Sequence, residues 1–303
     1  MRICSLLPSA TEILYLLGLE EAVVGVSHEC DYPPAAQRKP RVIRNLIDSE
    51  HLSSGEIDAA VHQALQERRP LYEIDEDALV QAQPELIVTQ ELCEVCAVDG
   101  SLAAQAARAL SRPPDILALH PHTLEEVLDE ILVVAERTGR RSRGEQVIGE
   151  LRQRLEAVSQ SVAQSTERPR VFCLEWLNPL MASGHWVPQM VEWAGGQEVL
   201  GRPGQPSRYV TPEEVAVAQP DVVIVMPCGF SIARMRQELA ALTGQAWWQA
   251  LPAVRARQVY LVNGPAYFNR SGPRLIDGIE LLEGILHPDR CEQYRSSDAV
   301  QLL

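Results

Sequence analysis

Short apolar runs alternate with longer stretches of helical spacing, and this alternation limits the chain to one broad fold class. In the first half the runs are Arg2–Leu7, Ala22–Ser27, Glu85–Thr89 and Ile116–Leu119, with helical patterns such as Leu102–Leu110 between them. Strands separated by helices cannot pair as hairpins, so the pattern predicts a mostly parallel, doubly wound sheet. The alternation restarts at Arg170–Leu174 and continues through Asp221–Met226 and Val259–Val262. Between the halves, Leu124, Val127, Leu128, Ile131, Leu132 and Ala135 fall at helical spacing, and Val147, Ile148, Leu151, Leu155 and Val158 repeat it. No proline interrupts Thr123–Gln164, which predicts one long helix, broken if anywhere near Gly139 or Gly144. The expectation is an α/β chain of two doubly wound lobes joined by a single long bridging helix. The lobes are residues 1–121 and 167–303, and the bridge is 122–166.

Local signals refine this outline. Ser9 followed three residues later by Glu12 reads as a capping box opening the first helix, and Gly18 as its end. Ala82-Gln83-Pro84-Glu85-Leu86-Ile87-Val88 is echoed by Ala218-Gln219-Pro220-Asp221-Val222-Val223-Ile224. Both place a helix end and a proline ahead of a buried strand, which fits two similar lobes or simply a common way into a parallel strand.

Composition excludes several function classes. The net charge is −14, which disfavours binding to nucleic-acid backbones and to anionic membrane surfaces. No run approaches the ~18–20 apolar residues of a membrane span, so no membrane insertion is expected. The chain has 7 cysteines, an odd number that does not suit a disulfide framework. Pro8 and Glu12 cut short the apolar N-terminal stretch, and no small-x-small site follows. Together these suggest a reducing, cytoplasmic location, or a periplasmic one had a leader been removed. There is no G-x-S-x-G elbow, P-loop, H-E-x-x-H or dinucleotide fingerprint, so the chain reads as a binding protein rather than an enzyme.

In open α/β sheets, ligands bind outside the carboxyl ends of the strands. In the first lobe these positions fall at Pro8–Glu12, at Ser27-His28-Glu29-Cys30-Asp31-Tyr32 and at Gln90–Cys96. In the second they fall at Glu175-Trp176, at Pro227-Cys228-Gly229-Phe230 and at Tyr267-Phe268-Asn269-Arg270. The loops are rich in Cys, His, Glu and aromatic residues. Two lobes joined by a helix would set them across a cleft.

Arg2-Ile3-Cys4-Ser5-Leu6-Leu7-Pro8-Ser9-Ala10-Thr11-Glu12 resembles the opening of the helical-backbone (class III) ABC-type periplasmic substrate-binding proteins, in particular their cobalamin-binding branch. Val24–Ser27, Asp31-Tyr32-Pro33-Pro34, Ala82–Val88 and Phe268-Asn269-Arg270-Ser271-Gly272-Pro273-Arg274 continue the resemblance, which covers residues 2 to about 286. It implies two lobes with a ligand cleft between them, cobalamin or a related corrinoid as ligand, and an ABC permease as partner. Relatives carry haem, siderophores or metals instead. Carried over by position, Trp176, Trp186, Phe268 and Arg270 are the cleft candidates.

The residues themselves offer two chemistries. Trp176, Trp186, Phe230 and Phe268 can lay apolar faces on a macrocycle, while Asn269 and Arg270 hydrogen-bond its peripheral amides. Glu12, Glu29 and Glu175 are polar candidates at the same edges, and His28 could ligate a corrinoid cobalt. Alternatively, His28, Cys30, Cys93 and Cys96 make a Cys3His set that suits zinc or an iron–sulfur cluster. Buried thiols also pack as small hydrophobes, so these cysteines have a purely structural reading as well. The readings are therefore a cytoplasmic corrinoid-binding protein, a metal or cluster protein, and the substrate-binding component of an importer.

Overall fold

Buried parallel strands carry both halves of the chain. The structure, a computed structural model, describes residues 1–90, 100–289 and 299–302. The chain divides into two compact units. The first comprises residues 1–52, 56–121 and 125–149, and the second residues 53–55, 122–124 and 150–303.

The first unit is built from β1 (Ile3–Ser5), α1 (Pro8–Leu16), β2 (Val23–Val26), β3 (Ile43–Asn45), α2 (Ser54–Gln66), β4 (Tyr72–Ile74), α3 (Glu76–Ala82), β5 (Leu86–Gln90), α4 (Gly100–Ala106), β6 (Asp115–Leu119) and α5 (Leu124–Arg137), and it takes in the first part of α6 (Arg141–Val162). Its sheet runs β2-β1-β5-β6, with every neighbouring pair parallel. Ile3, Ile87 and Val88 are fully buried, as strands covered on both faces require. The antiparallel pair β3–β4 stands apart from this sheet.

The second unit contains β7 (Arg170–Trp176), β8 (Met181–Ala182), α7 (Val187–Trp193), β9 (Gln197–Glu198), β10 (Arg208–Tyr209), α8 (Pro212–Ala218), β11 (Val222–Val225), α9 (Ile232–Thr243), α10 (Ala246–Ala250), α11 (Pro252–Arg255), β12 (Val259–Val262), α12 (Gly264–Tyr267), α13 (Leu275–Leu286) and β13 (Ala299–Leu302). Its sheet runs β10-β8-β7-β11-β12-β13, with β9 added beside β7. The β7, β11 and β12 strands are parallel, while β8 and β13 run against their neighbours. Phe172, Val223, Ile224 and Leu261 are fully buried in its core.

The runs read as strands all form strands. The echoed segments share one device, since Gln83 and Gln219 close α3 and α8 in the left-handed region, at φ 40° and 44°. In each a proline follows and the chain enters a buried strand.

Two local expectations are corrected. The stretch 123–164 is not one helix but two, parted at Gly139 (φ +69°), one of the two places expected for a break, with α6 starting afresh at Arg141. The 22-residue α6 then runs from the first unit into the second. The Ser9–Glu12 capping box does not form either. Pro8 takes the first helical position behind Leu7, which puts Ser9 and Glu12 inside the buried body of α1. Gly18 does follow the helix end, at φ +70°.

Arg154 anchors the later part of α6 within the second unit. Its guanidinium donates to both carboxylate oxygens of Glu280, at 2.8 and 2.5 Å, and to Asp277 at 2.5 Å. Such a two-pronged pair is stronger than a typical surface ion pair. Arg154→Ala should lower the unit's stability by about 1–2 kcal/mol in urea unfolding. Lysine at this position, lacking the planar fork, should recover less than half of that; an unchanged midpoint in the alanine variant would show that the pair contributes nothing.

Candidate functional site

Each unit presents its own chemistry at the carboxyl ends of its strands. In the first unit, the turn after β2 is tied down from inside. The Arg41 guanidinium donates to the Ser27 and Cys30 carbonyls, at 2.5 and 2.9 Å. Thr11, one turn into α1, donates its hydroxyl to Ser5 Oγ at 2.9 Å and lies 3.1 Å from the buried Cys30 thiol. Cys30 is therefore held against a hydroxyl inside the lobe. Glu12 is buried on the same helix.

His28 is half-buried in this turn, its ring 5.6 Å from that of Tyr72. Burial lowers its pKa. Glu29, at 3.9 Å, opposes that shift and Arg41 adds to it. The imidazole therefore favours its neutral form, the form that ligates metals. Cys93 and Cys96, the other half of the expected Cys3His set, lie outside the described residues. Among the described residues, no group of three or more His, Cys, Asp or Glu side chains is placed to hold a metal ion.

The second unit brings aromatic and polar side chains together after β7. Trp176 ends β7 half-buried, and its indole N–H donates to the Ser54 carbonyl at 3.2 Å. Its ring packs at 57° to that of Phe230, centroids 5.2 Å apart. The Arg234 guanidinium lies 3.7 Å above the other ring of this pair, Phe230, and burial lowers its pKa. Next to Trp176, Glu175 accepts a 2.9 Å hydrogen bond from the Ser207 hydroxyl. The outcome is an aromatic platform flanked by a guanidinium and a carboxylate, suited to a ligand with a flat apolar body and a polar rim.

Three other expected ligand contacts turn inward. Phe268 is completely buried and Trp186 nearly so, with the Trp186 indole N–H donating to the Phe268 carbonyl at 2.7 Å. Neither offers a free face, because this hydrogen bond and the surrounding core consume them. Phe230 is buried too, under Arg234 and Trp176. The segment around them also differs from expectation. Tyr267 ends the short α12 rather than a strand, and α13 starts at Leu275, just after Pro273. Asn269 donates to the Met226 carbonyl at 3.1 Å, which fixes it to the strand end after β11. Arg270 is half-buried beside it.

Sequence reasoning passed over Arg234 and Ser207. Arg234 stands four residues after Phe230, in the first turn of a helix capped by Ser231, and that spacing was the available signal. Nothing local marks Ser207.

Similarity to known proteins bears on the family and the fold. A family profile described as periplasmic binding protein matches residues 3–266. The vitamin B12-binding protein of Vibrio cholerae is 28% identical over 284 residues, covering 92% of this chain and 86% of that protein. The solved periplasmic vitamin B12-binding protein of Vibrio cholerae superposes with a TM-score of 0.66 at 27% identity, covering 94% of this chain and 96% of that one. A periplasmic haem-binding protein from Pseudomonas aeruginosa has a TM-score of 0.74 at 18% identity, covering 96% and 94%. That last likeness speaks to fold alone.

Proposed function

Because this chain belongs to the periplasmic binding protein family, we propose that it captures a cobalamin-type corrinoid as the substrate-binding component of an ABC importer. Members of the family bind substrates and are not enzymes, and the two α/β units have the family's class III fold. The observation that carries the ligand class is the similarity to the vitamin B12-binding protein across 92% of the chain. The half-buried Trp176 ring, backed by the buried Phe230 and bordered by Arg234, Glu175 and Ser207, supports it chemically. A corrin ring has a broad apolar face and a rim of amides, which need such a surface and such donors and acceptors.

Within this reading Trp176 supplies the stacking face, and Glu175, Arg234 and Arg270 the polar contacts. The family's extracytoplasmic role favours an importer component over the cytoplasmic placement suggested by the thiols and the N-terminal residues. An ABC permease is then the partner. Among the described residues, no helix is long and apolar enough to cross a membrane.

Calorimetric titration with hydroxocobalamin and cyanocobalamin tests the proposal. Binding should be micromolar or tighter, and Trp176→Ala should weaken it by roughly 1–3 kcal/mol, the scale of a lost aromatic anchor. Haemin serves as the competing macrocycle. Heat with haemin and none with either corrinoid would move the chain to another ligand class.

A further inference from the structure

Two imidazoles outside this platform meet in the second unit. His122 lies in the link between β6 and α5, and His185 in the turn between β8 and α7. Their rings are 5.9 Å apart between centroids, with planes within 23° of parallel. Both are held by backbone. The Leu124 amide donates to Gln189 Oε1 at 2.9 Å, which pins the His122 link to α7. The His185 amide donates to the Gln205 carbonyl at 2.6 Å, and its own carbonyl accepts from Gly204 at 2.9 Å. These bonds hold His185 at φ +51°, in the left-handed region that a non-glycine residue enters only under constraint.

His185 Nδ1 is buried and makes no hydrogen bond among the described residues. A buried ring nitrogen without a partner costs about 1–3 kcal/mol. A proton would only turn this nitrogen into a donor that still lacks an acceptor. A metal ion would meet its need. Imidazole nitrogens bind such ions at about 2.0–2.1 Å, which puts each ring centre about 3.2 Å from the metal. Two rings around one ion then have centres between about 5.2 Å apart for a tetrahedral angle and about 6.4 Å apart for a linear one. The observed separation falls inside that range.

We propose that His122 and His185 form a two-histidine site for a late first-row divalent cation, one of the zinc, nickel, cobalt and copper class that imidazole prefers. Water, or donors of a captured ligand, complete its coordination. The site is distinct from the His28 and cysteine set and does not depend on the identity of the macrocycle.

Calorimetry with nickel ion on the metal-stripped full chain, together with copper(II) paramagnetic resonance, tests this. The expected result is one ion per chain and a copper spectrum with hyperfine structure from two nitrogens. His122→Asn and His185→Asn should each leave one nitrogen and weaken nickel binding by at least about tenfold, since even outer-shell changes at metal sites cost that much. Asparagine tolerates the left-handed backbone, so the second variant should fold. His51 and His62 sit in exposed pairs with Asp48 and Asp58 and are the competing sites. The double variant His51→Ala/His62→Ala should bind as the parent does. A one-nitrogen spectrum in the parent, unchanged affinity in the His122 and His185 variants, or loss of binding in the double variant would each overturn the proposal. The parent spectrum decides the matter even if a variant does not fold.

Discussion

Gly184→Ala will destabilise the second unit by roughly 3 kcal/mol and remove the polar border of the aromatic platform. A Cβ at this position would lie closer than 3.0 Å to the Gln205 carbonyl oxygen, the Pro206 carbonyl carbon and the Ser207 amide nitrogen. All three are backbone atoms, so no rotamer change relieves the clash and the 205–207 segment must move. That segment carries Ser207, whose hydroxyl holds Glu175, and the Gln205 carbonyl that fixes His185. The melting temperature should fall by about 6–12 °C for a unit of this size, and corrinoid affinity should fall with it. Gly149→Ala is the control, because a Cβ there meets nothing within 4 Å. A Gly184→Ala protein that melts with the parent would show that the 205–207 segment yields freely.

The parts of the fold that the sequence revealed are the parts with the strongest physical signature. A parallel strand buried on both faces must be apolar at every position, so β5 and β11 stand out as Leu86–Val88 and Val222–Val225. The β8, β9 and β10 strands have two residues each, too few to show any period. The first helix misled because Ser9 and Glu12 fit a capping box by spacing, yet Pro8 one residue earlier was free to start the helix with no cap at all. The candidate site divides in the same way. Trp176 and Trp186 are alike in sequence, each near a strand end and close to a proline. Only packing separates them: one indole N–H reaches the Ser54 carbonyl from a half-buried ring, the other is spent inside the core on Phe268. His122 and His185 are far apart along the chain, so their meeting is a property of the fold and no local pattern announces it.

Glu130→Gln should change how the first unit responds to pH more than any other conservative substitution considered. Glu130 faces inward from α5; one carboxylate oxygen accepts from the His120 amide, and the other is buried with no partner among the described residues. Burial is the main cause that raises its pKa from 4.5 to about 8, against the His120 hydrogen bond, which pulls it down, and with a smaller push from Glu126. The folded chain therefore holds this carboxyl protonated at pH values where the unfolded chain has lost the proton. Stability from this group is complete below about pH 4.5, falls between there and pH 8, and is fully lost above. The difference across that window is on the order of 4 kcal/mol. Glutamine keeps the acceptor for His120 and never ionises, so the variant should match the parent near pH 5. It should then exceed the parent increasingly toward pH 9, with the gap opening mostly below pH 8. Urea unfolding of both proteins at pH 5, 7 and 9 measures that gap directly, because every other titrating group is shared. Parallel stability curves would mean that Glu130 ionises in place and that water or a shift of α5 solvates the charge.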